Sequence, residues 1–240
     1  MYLGSVIDRD DVHFESLLDD DDIFLDPMND KKQVEGWIRN NYIIYGKLTI
    51  SDDFVVDCGD TVKVKNKSIS SLTNGLFRWG SVGRDFYCSC CKKLKSLEGA
   101  PKNVGGNFNC SRCDSLVNLE GAPKKVGGDF YCHSCVNLKS LEGAPKEVNG
   151  SFNCIQCVRL ESLKGSPKKV VNGFYCNGCN NLTSLEGAPV RVGSSFLCDN
   201  CNNLTSLKGA PDVVGEFVCN YCPNLKITDS DRERYKLHEY

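Results

Sequence analysis

The chain has 240 residues, of which 40% are hydrophobic and 25% charged, and its net charge is −2. That is the make-up of an ordinary soluble globular protein, without the basic excess expected of a nucleic-acid or membrane-surface binder. No run approaches the roughly 18 apolar residues of a membrane-spanning helix, and Met1–Arg9 shows no basic stretch leading into an apolar one, so no secretory leader is expected. The compartment expected from this is a reducing cytosol, where sixteen cysteines would be thiols rather than a disulfide framework.

In chain order, residues 1–30 form an acidic segment. Between residues 8 and 30 stand ten acidic side chains and one basic, densest at Asp19-Asp20-Asp21-Asp22. Their net of −9 leaves about +7 for the rest of the chain. The segment reads either as a solvated, mobile tail or as an arm that docks on the more basic body or on a basic partner.

Residues 31–82 predict an N-terminal cap. Val34, Trp37, Ile38 and Tyr42 lie at helical spacing, which predicts an amphipathic helix from about Asp30 to Asn41. Three β-rich runs follow, Tyr42–Ile50, Phe54–Cys58 and Thr61–Val64, separated by Asp52-Asp53 and Gly59-Asp60. Val62, Val64, Ile69 and Leu72 imitate the repeat that comes next without its cysteines, so one or two degenerate coils are expected there.

The dominant signal is the repeat over residues 83–228. Phe86, Phe108, Phe130, Phe152, Phe174 and Phe196 recur every 22 residues, and Phe217 follows after 21. Each opens the phrase F-x-C-x-x-C-x-x-L-x-S-L-x-G-x-P-x-x-V. Phe and the first Cys, two apart, share one face of a strand of about three to five residues. The second Cys and both Leu add apolar inward positions. Gly-Ala-Pro forces an extended return, because Pro fixes its own φ and biases its predecessor away from helix. A Val (104, 126, 148, 170, 192, 214) then closes the coil. One unit cannot bury its own apolar residues, but stacked units can, with strands about 4.8 Å apart. Residues 229–240, with Asp231-Arg232-Glu233-Arg234, predict a charged C-terminal turn or short helix.

The phrase resembles the leucine-rich repeat. Phe stands at a strand leucine, the first Cys at the next, and the second Cys at the Asn/Cys position of that pattern. Leu182-Thr183-Ser184-Leu185-Glu186-Gly187-Ala188-Pro189 is similar to the short repeats of bacteria and tailed bacteriophages. The resemblance spans roughly residues 35–228, and it departs at the second Cys, where Asn would be more usual. It implies a horseshoe-shaped solenoid with a parallel sheet on the concave face, an extended or turn-like convex face, and a small α+β N-terminal cap. It also implies a non-catalytic module that binds a host or virion protein, in the host cytoplasm or the virion.

Seven C-x-x-C pairs raise the alternative of a zinc-stabilised structural or virion assembly protein. They are Cys88/Cys91, Cys110/Cys113, Cys132/Cys135, Cys154/Cys157, Cys176/Cys179, Cys198/Cys201 and Cys219/Cys222. The repeat, however, demands buried side chains at both positions, where cysteine serves as a small apolar residue. Seven pairs also cannot be divided among four-cysteine sites without one left over. Cys90 falls off the repeat frame and is the better candidate for exposure.

No catalytic constellation appears. His13, His133 and His238 are scattered, and no phosphate loop, nucleophile elbow or H-E-x-x-H is present, so neither an enzyme nor a cofactor is expected. The candidate contact surface is instead the outward ladder of the strands. Its central row is Tyr87, Asn109, Tyr131, Asn153, Tyr175 and Leu197, flanked by Asp85, Asp129 and His133. Tyrosine suits a contact surface, with its rigid apolar body and single polar tip. The acidic strand starts argue against nucleic acid on this face.

Overall fold

The computed structural model describes residues 27–213 and 215–236. Most of the acidic segment (residues 1–26), His13, His238 and Val214 lie outside the described residues. The first helix, α1 (Pro27–Asn41), begins three residues before the predicted start. Proline is tolerated in a first turn, where the N–H it lacks would have no intrahelical partner. Five strands follow: β1 (Tyr42–Ile44), β2 (Leu48–Ile50), β3 (Val55–Cys58), β4 (Val62–Val64) and β5 (Arg78–Val82).

Each repeat then contributes two short strands. These are β6 (Phe86–Tyr87) and β7 (Asn103–Val104), β8 (Phe108–Asn109) and β9 (Lys125–Val126), and β10 (Phe130–Tyr131) and β11 (Glu147–Val148). Next come β12 (Phe152–Asn153) and β13 (Lys169–Val170), β14 (Phe174–Tyr175) and β15 (Arg191–Val192), and β16 (Phe196–Leu197) and β17 (Asp212–Val213). The series ends with β18 (Phe217–Val218) and a helix, α2 (Asp229–Tyr235).

The result is a parallel β-solenoid. One nine-stranded sheet runs β1-β4-β6-β8-β10-β12-β14-β16-β18 and carries every repeat phenylalanine. The other runs β17-β15-β13-β11-β9-β7-β5-β3-β2. This second sheet is a difference from the expected extended or turn-like return. The Pro-x-x-Val segments pair with one another in register, Val148 with Val126 and Val170 with Val192, since an extended backbone stacked every coil has its N–H and C=O groups placed to pair. In the last coil Val213, not Val214, stands in register with Val192. The residue missing from the 21-residue unit is therefore lost between Pro211 and Val213. All pairs are parallel except at one end of the stack, where β1 runs antiparallel to β4 and β2 antiparallel to β3. The strands β3, β4 and β5 already follow the solenoid register, with Val62 opposite Phe86.

The interior is built from equivalent side chains stacked coil upon coil. The seven phenylalanines form one column, neighbouring centroids 5.1–5.7 Å apart and adjacent rings within 23° of parallel. Such offset ring pairs are worth about 0.5–1.5 kcal/mol each beyond the area they bury. At one end the column meets Trp79 and Tyr42 edge-on or tilted, at 5.9 and 6.3 Å. At the other, Tyr235 of α2 stacks on Phe217 at 4.2 Å. The helix is fixed there by a reciprocal Thr228–Asp231 capping box, and the Tyr235 hydroxyl donates to the Ala210 carbonyl at 3.2 Å.

Ladder bonds continue past the two strand residues: Phe86, Cys88 and Cys90 N–H donate to the carbonyls of Asn107, Asn109 and Ser111, each at 2.8 Å. The paired run is thus five residues long, the upper end of the three to five expected from the sequence. It ends at a left-handed residue between the two cysteines. Cys90, Arg112, Ser134, Gln156 and Asn200 all sit there with φ of 56–63°. Cys90, outside the paired-cysteine frame, takes this turn position and is half-buried, whereas the paired cysteines other than Cys222 are buried. A second left-handed turn falls on the glycine of Leu-x-Gly. At Gly143, φ is +90° and an added Cβ would lie 2.4 Å from the backbone of Leu119 and Glu120 in the preceding coil. Glycine is needed there both for the turn and for the stacking distance.

Candidate functional site

The pairing register sets the predicted ladder residues side by side. Tyr87 pairs with Asn109, Asn109 with Tyr131, Tyr131 with Asn153, Asn153 with Tyr175, Tyr175 with Leu197, and Leu197 with Val218. Their strand neighbours Phe and Cys are buried, so the row faces outward, and every member is part-exposed. The row extends one strand further than predicted, to Lys63 opposite Tyr87. The Lys63 ammonium lies 5.3 Å from the Tyr45 ring centroid and 5.2 Å from that of Tyr87, within cation–π range.

Much of this row's polarity is already engaged. Asp85 and Asp129 each use one carboxylate oxygen to accept the backbone N–H of the next coil, from Asn107 at 2.7 Å and Ser151 at 2.6 Å. Asn107 does the same for Asp129 at 2.7 Å. The second carboxylate oxygens accept the phenols, Tyr87 on Asp85 at 3.0 Å and Tyr131 on Asp129 at 2.6 Å. Hydrogen bonding to Asp129, ahead of burial, pushes the Tyr131 phenol up to about 12. The Tyr87 phenol is also raised, with burial the larger cause and Asp85 the next. In the alternate coils Asn109 and Asn153 close turns on the N–H of Ser111 and Ile155, at 2.9 and 3.1 Å. Asp85 and Asp129 thus have structural duties that explain their presence without a partner. His133 is half-buried beside Ser134, and burial together with Arg112 lowers its pKa, which favours the neutral ring.

The cysteines are interior. Fourteen of the sixteen are buried, Cys90 and Cys222 are half-buried, and all are free thiols. From the second pair onward, the second cysteine donates its S–H to the carbonyl of the first cysteine one coil back. Cys113 bonds Cys88 at 3.2 Å, Cys135 bonds Cys110 at 3.3 Å, Cys157 bonds Cys132 at 3.2 Å, and Cys179 bonds Cys154 at 3.2 Å. Cys201 and Cys222 continue the ladder to Cys176 and Cys198, at 3.4 and 3.3 Å. A donor at this position satisfies a buried carbonyl between coils, a role the small thiol fills without breaking the apolar interior. Burial pushes up the thiol of Cys135, one of these donors, and those of Cys88 and Cys110, whereas hydrogen bonding with Cys176 and Cys222 lowers that of Cys201. A protonated donor is the opposite of the thiolate that a metal requires. Among the described residues no three His, Cys, Asp or Glu side chains are grouped to hold a metal ion.

One surface was missed by the sequence reading. Exposed basic residues recur along the second sheet: Lys102, Lys124, Lys146 and Lys168 just before its strands, and Lys125, Lys169 and Arg191 on them, interrupted by Asn103 and Glu147. The signal was present in the recurring Pro-Lys-x-Val, but an expected turn-like return gave no reason to place those residues in one plane.

These features define a cysteine-laddered parallel β-solenoid. Comparison with protein-family models, with curated proteins and with solved structures finds no match. Among the described residues no helix is long and apolar enough to cross a membrane.

Proposed function

We propose that the chain is a non-catalytic, leucine-rich-repeat-like module that binds a protein partner through the outward face of the first sheet, the concave face of a horseshoe. The observation that carries this reading is the in-register row from Lys63 through Tyr87, Tyr131 and Tyr175 to Leu197. It offers rings spaced about 10 Å apart on alternate coils, whose hydroxyls at Tyr87 and Tyr131 are held by Asp85 and Asp129. Side chains fixed in this way lose little freedom on binding, so their burial converts more fully into affinity. On the phage-like resemblance the partner is a host or virion protein met in the cytoplasm.

The test is a triple substitution of Tyr87, Tyr131 and Tyr175 by Ala, assayed by capture from host extract. Loss of the captured protein with an unchanged thermal transition is expected. Undiminished capture by a folded triple variant would move the site to another face.

A further inference from the structure

The second sheet carries an outward face that the proposed binding row does not use. Its strands place Lys125, Lys169 and Arg191 beside the inward valines, while Lys102, Lys124, Lys146 and Lys168 follow the buried prolines. The Lys124 N–H donates to the Lys102 carbonyl and the Lys168 N–H to the Lys146 carbonyl, so these residues stack coil over coil. Strand spacing sets neighbouring ammonium stems about 4.8 Å apart.

Elsewhere on the surface, charges in adjacent coils alternate and pair: Lys92 with Asp114, Lys139 with Glu161, Glu142 with Lys164, and Glu186 with Lys208. None of the seven basic residues stacked along the second sheet forms an ion pair with a described carboxylate, whereas Arg78 on β5, nearer the end of the sheet, is bound to Asp53 at 3.3 Å. The acids on the outward row of this sheet are Asp57, Glu147 and Asp212: Asp57 accepts from the Ser81 N–H at 2.5 Å, Glu147 stands opposite Lys169, and Asp212 is bound to Arg234 at 2.6 Å. Like charges directly opposite one another weaken a sheet. The column Lys102, Lys124, Lys146 and Lys168 repeats one sign over four coils, and an anionic occupant would relieve that repulsion.

The chain supplies one. Residues 8–26 hold nine acidic side chains and one basic. They join the fold at Pro27, and Lys31 in the early part of α1 bonds Asp52 at 2.5 Å, in the turn between β2 and β3. That is the end of the second sheet. Asp19–Asp22 lie five to eight residues before Pro27, a reach of at most roughly 17–29 Å. From β3 the coils whose returns carry Lys102, then Lys124 and Lys125, then Lys146 stand about 10, 14 and 19 Å away. Sign, charge count, point of attachment and length all agree. Single-stranded nucleic acid fits less well, because this face offers no aromatic ring on which a base could stack.

We propose that the lysine face of the second sheet is the intramolecular docking surface of the chain's own acidic segment, centred on Asp19–Asp22. The experiment is zero-length carbodiimide cross-linking of the full chain at low salt, read by peptide mass spectrometry. Cross-links from residues 8–26 to Lys102, Lys124, Lys125 and Lys146 are expected, and their loss in about 0.5 M salt, where screening is strong. Cross-links spread equally over Lys92, Lys95, Lys164 and Lys208 would overturn the proposal.

A second arm uses a labelled poly-glutamate peptide in fluorescence anisotropy. The full-length D19N/D20N/D21N/D22N chain should bind the probe about tenfold more tightly than the unaltered chain, as expected when a competitor occupies the site nine-tenths of the time. Adding Lys102→Ser, Lys124→Ser and Lys125→Ser should remove that gain. Equal affinity of the unaltered and Asp→Asn chains for the probe, or for a single-stranded oligonucleotide, would show the face open and refute the intramolecular occupant. Neither arm uses Tyr87, Tyr131 or Tyr175, so its outcome is independent of the proposed partner site.

Discussion

Strands of the first sheet bury a phenylalanine with the first cysteine just beyond it, whereas those of the second sheet bury a single valine and are led in by a buried proline. The outward faces differ as well. On the first, Asp85, Asp129, Asn109 and Asn153 are tied to neighbouring backbone or phenol groups, while on the second the lysines end in solvent. One coil thus carries a side whose inner and outer groups are both held between coils, and a side held mainly by its backbone ladder. Side-chain contacts between coils are therefore richer behind the first sheet than behind the second.

The largest test of that asymmetry compares two neighbouring positions. Phe152→Ala removes one ring from the middle of a stack whose spacing is 5.1 Å on one side and 5.3 Å on the other. The expected loss is about 3–5 kcal/mol, because coils locked at a fixed spacing cannot close the cavity. Val148→Ala, also fully buried but behind the second sheet, should cost only about 1.5 kcal/mol. Urea midpoints of the two variants decide the matter: equal shifts would mean that both sheets contribute alike.

Between the two sheets lies the Leu-x-Gly turn, and Gly143→Ala should cost roughly 2–5 kcal/mol. The cost combines a positive φ with a Cβ forced into the preceding coil. The contrast is with Asn149, which follows Val148 in an exposed position; Asn149→Ala should shift the urea midpoint little. A Gly143 variant as stable as the parent would mean that neighbouring coils can separate without penalty, against the rigid stacking argued for the phenylalanine column.

The period and inward positions were legible because Phe, Cys, Leu and Val recur at fixed spacing, and such a pattern has few ways to bury itself other than by stacking. The row of outward tyrosines followed from strand alternation alone. Three things were not legible. Two-residue strands around Lys125–Val126 have no alternation to read, so the second sheet and its lysine face stayed hidden. The S–H ladder needs the offset of one coil on the next, since Cys113 reaches back to the Cys88 carbonyl, 25 residues away, rather than to its own pair. The displaced register at Val213 depends on where a single deletion is absorbed, and two adjacent valines give the sequence no means of choosing.

The smallest expected effect concerns how firmly the outward groups of the first sheet are held. Tyr131 donates to Asp129, an acceptor that stabilises the neutral phenol, and its pKa stands at about 12. A folded-state value above the ordinary one near 10 means that the folded chain holds this proton more tightly than the unfolded chain. The contribution to stability is therefore complete below about pH 10 and is lost as pH rises towards 12. Asp129→Asn keeps the bond to the Ser151 N–H, as Asn107 does for Asp129 in the preceding coil, but removes the charge facing the phenol. Titration of Tyr131 by carbon NMR should then show its pKa falling towards 10. Tyr87 should respond less to Asp85→Asn, because burial leads its shift and the carboxylate comes second. An unchanged Tyr131 titration in the Asp129 variant would show that the ring is raised by its surroundings and not by that bond. The tyrosine row would then owe its order to packing between coils and not to the aspartates beneath it.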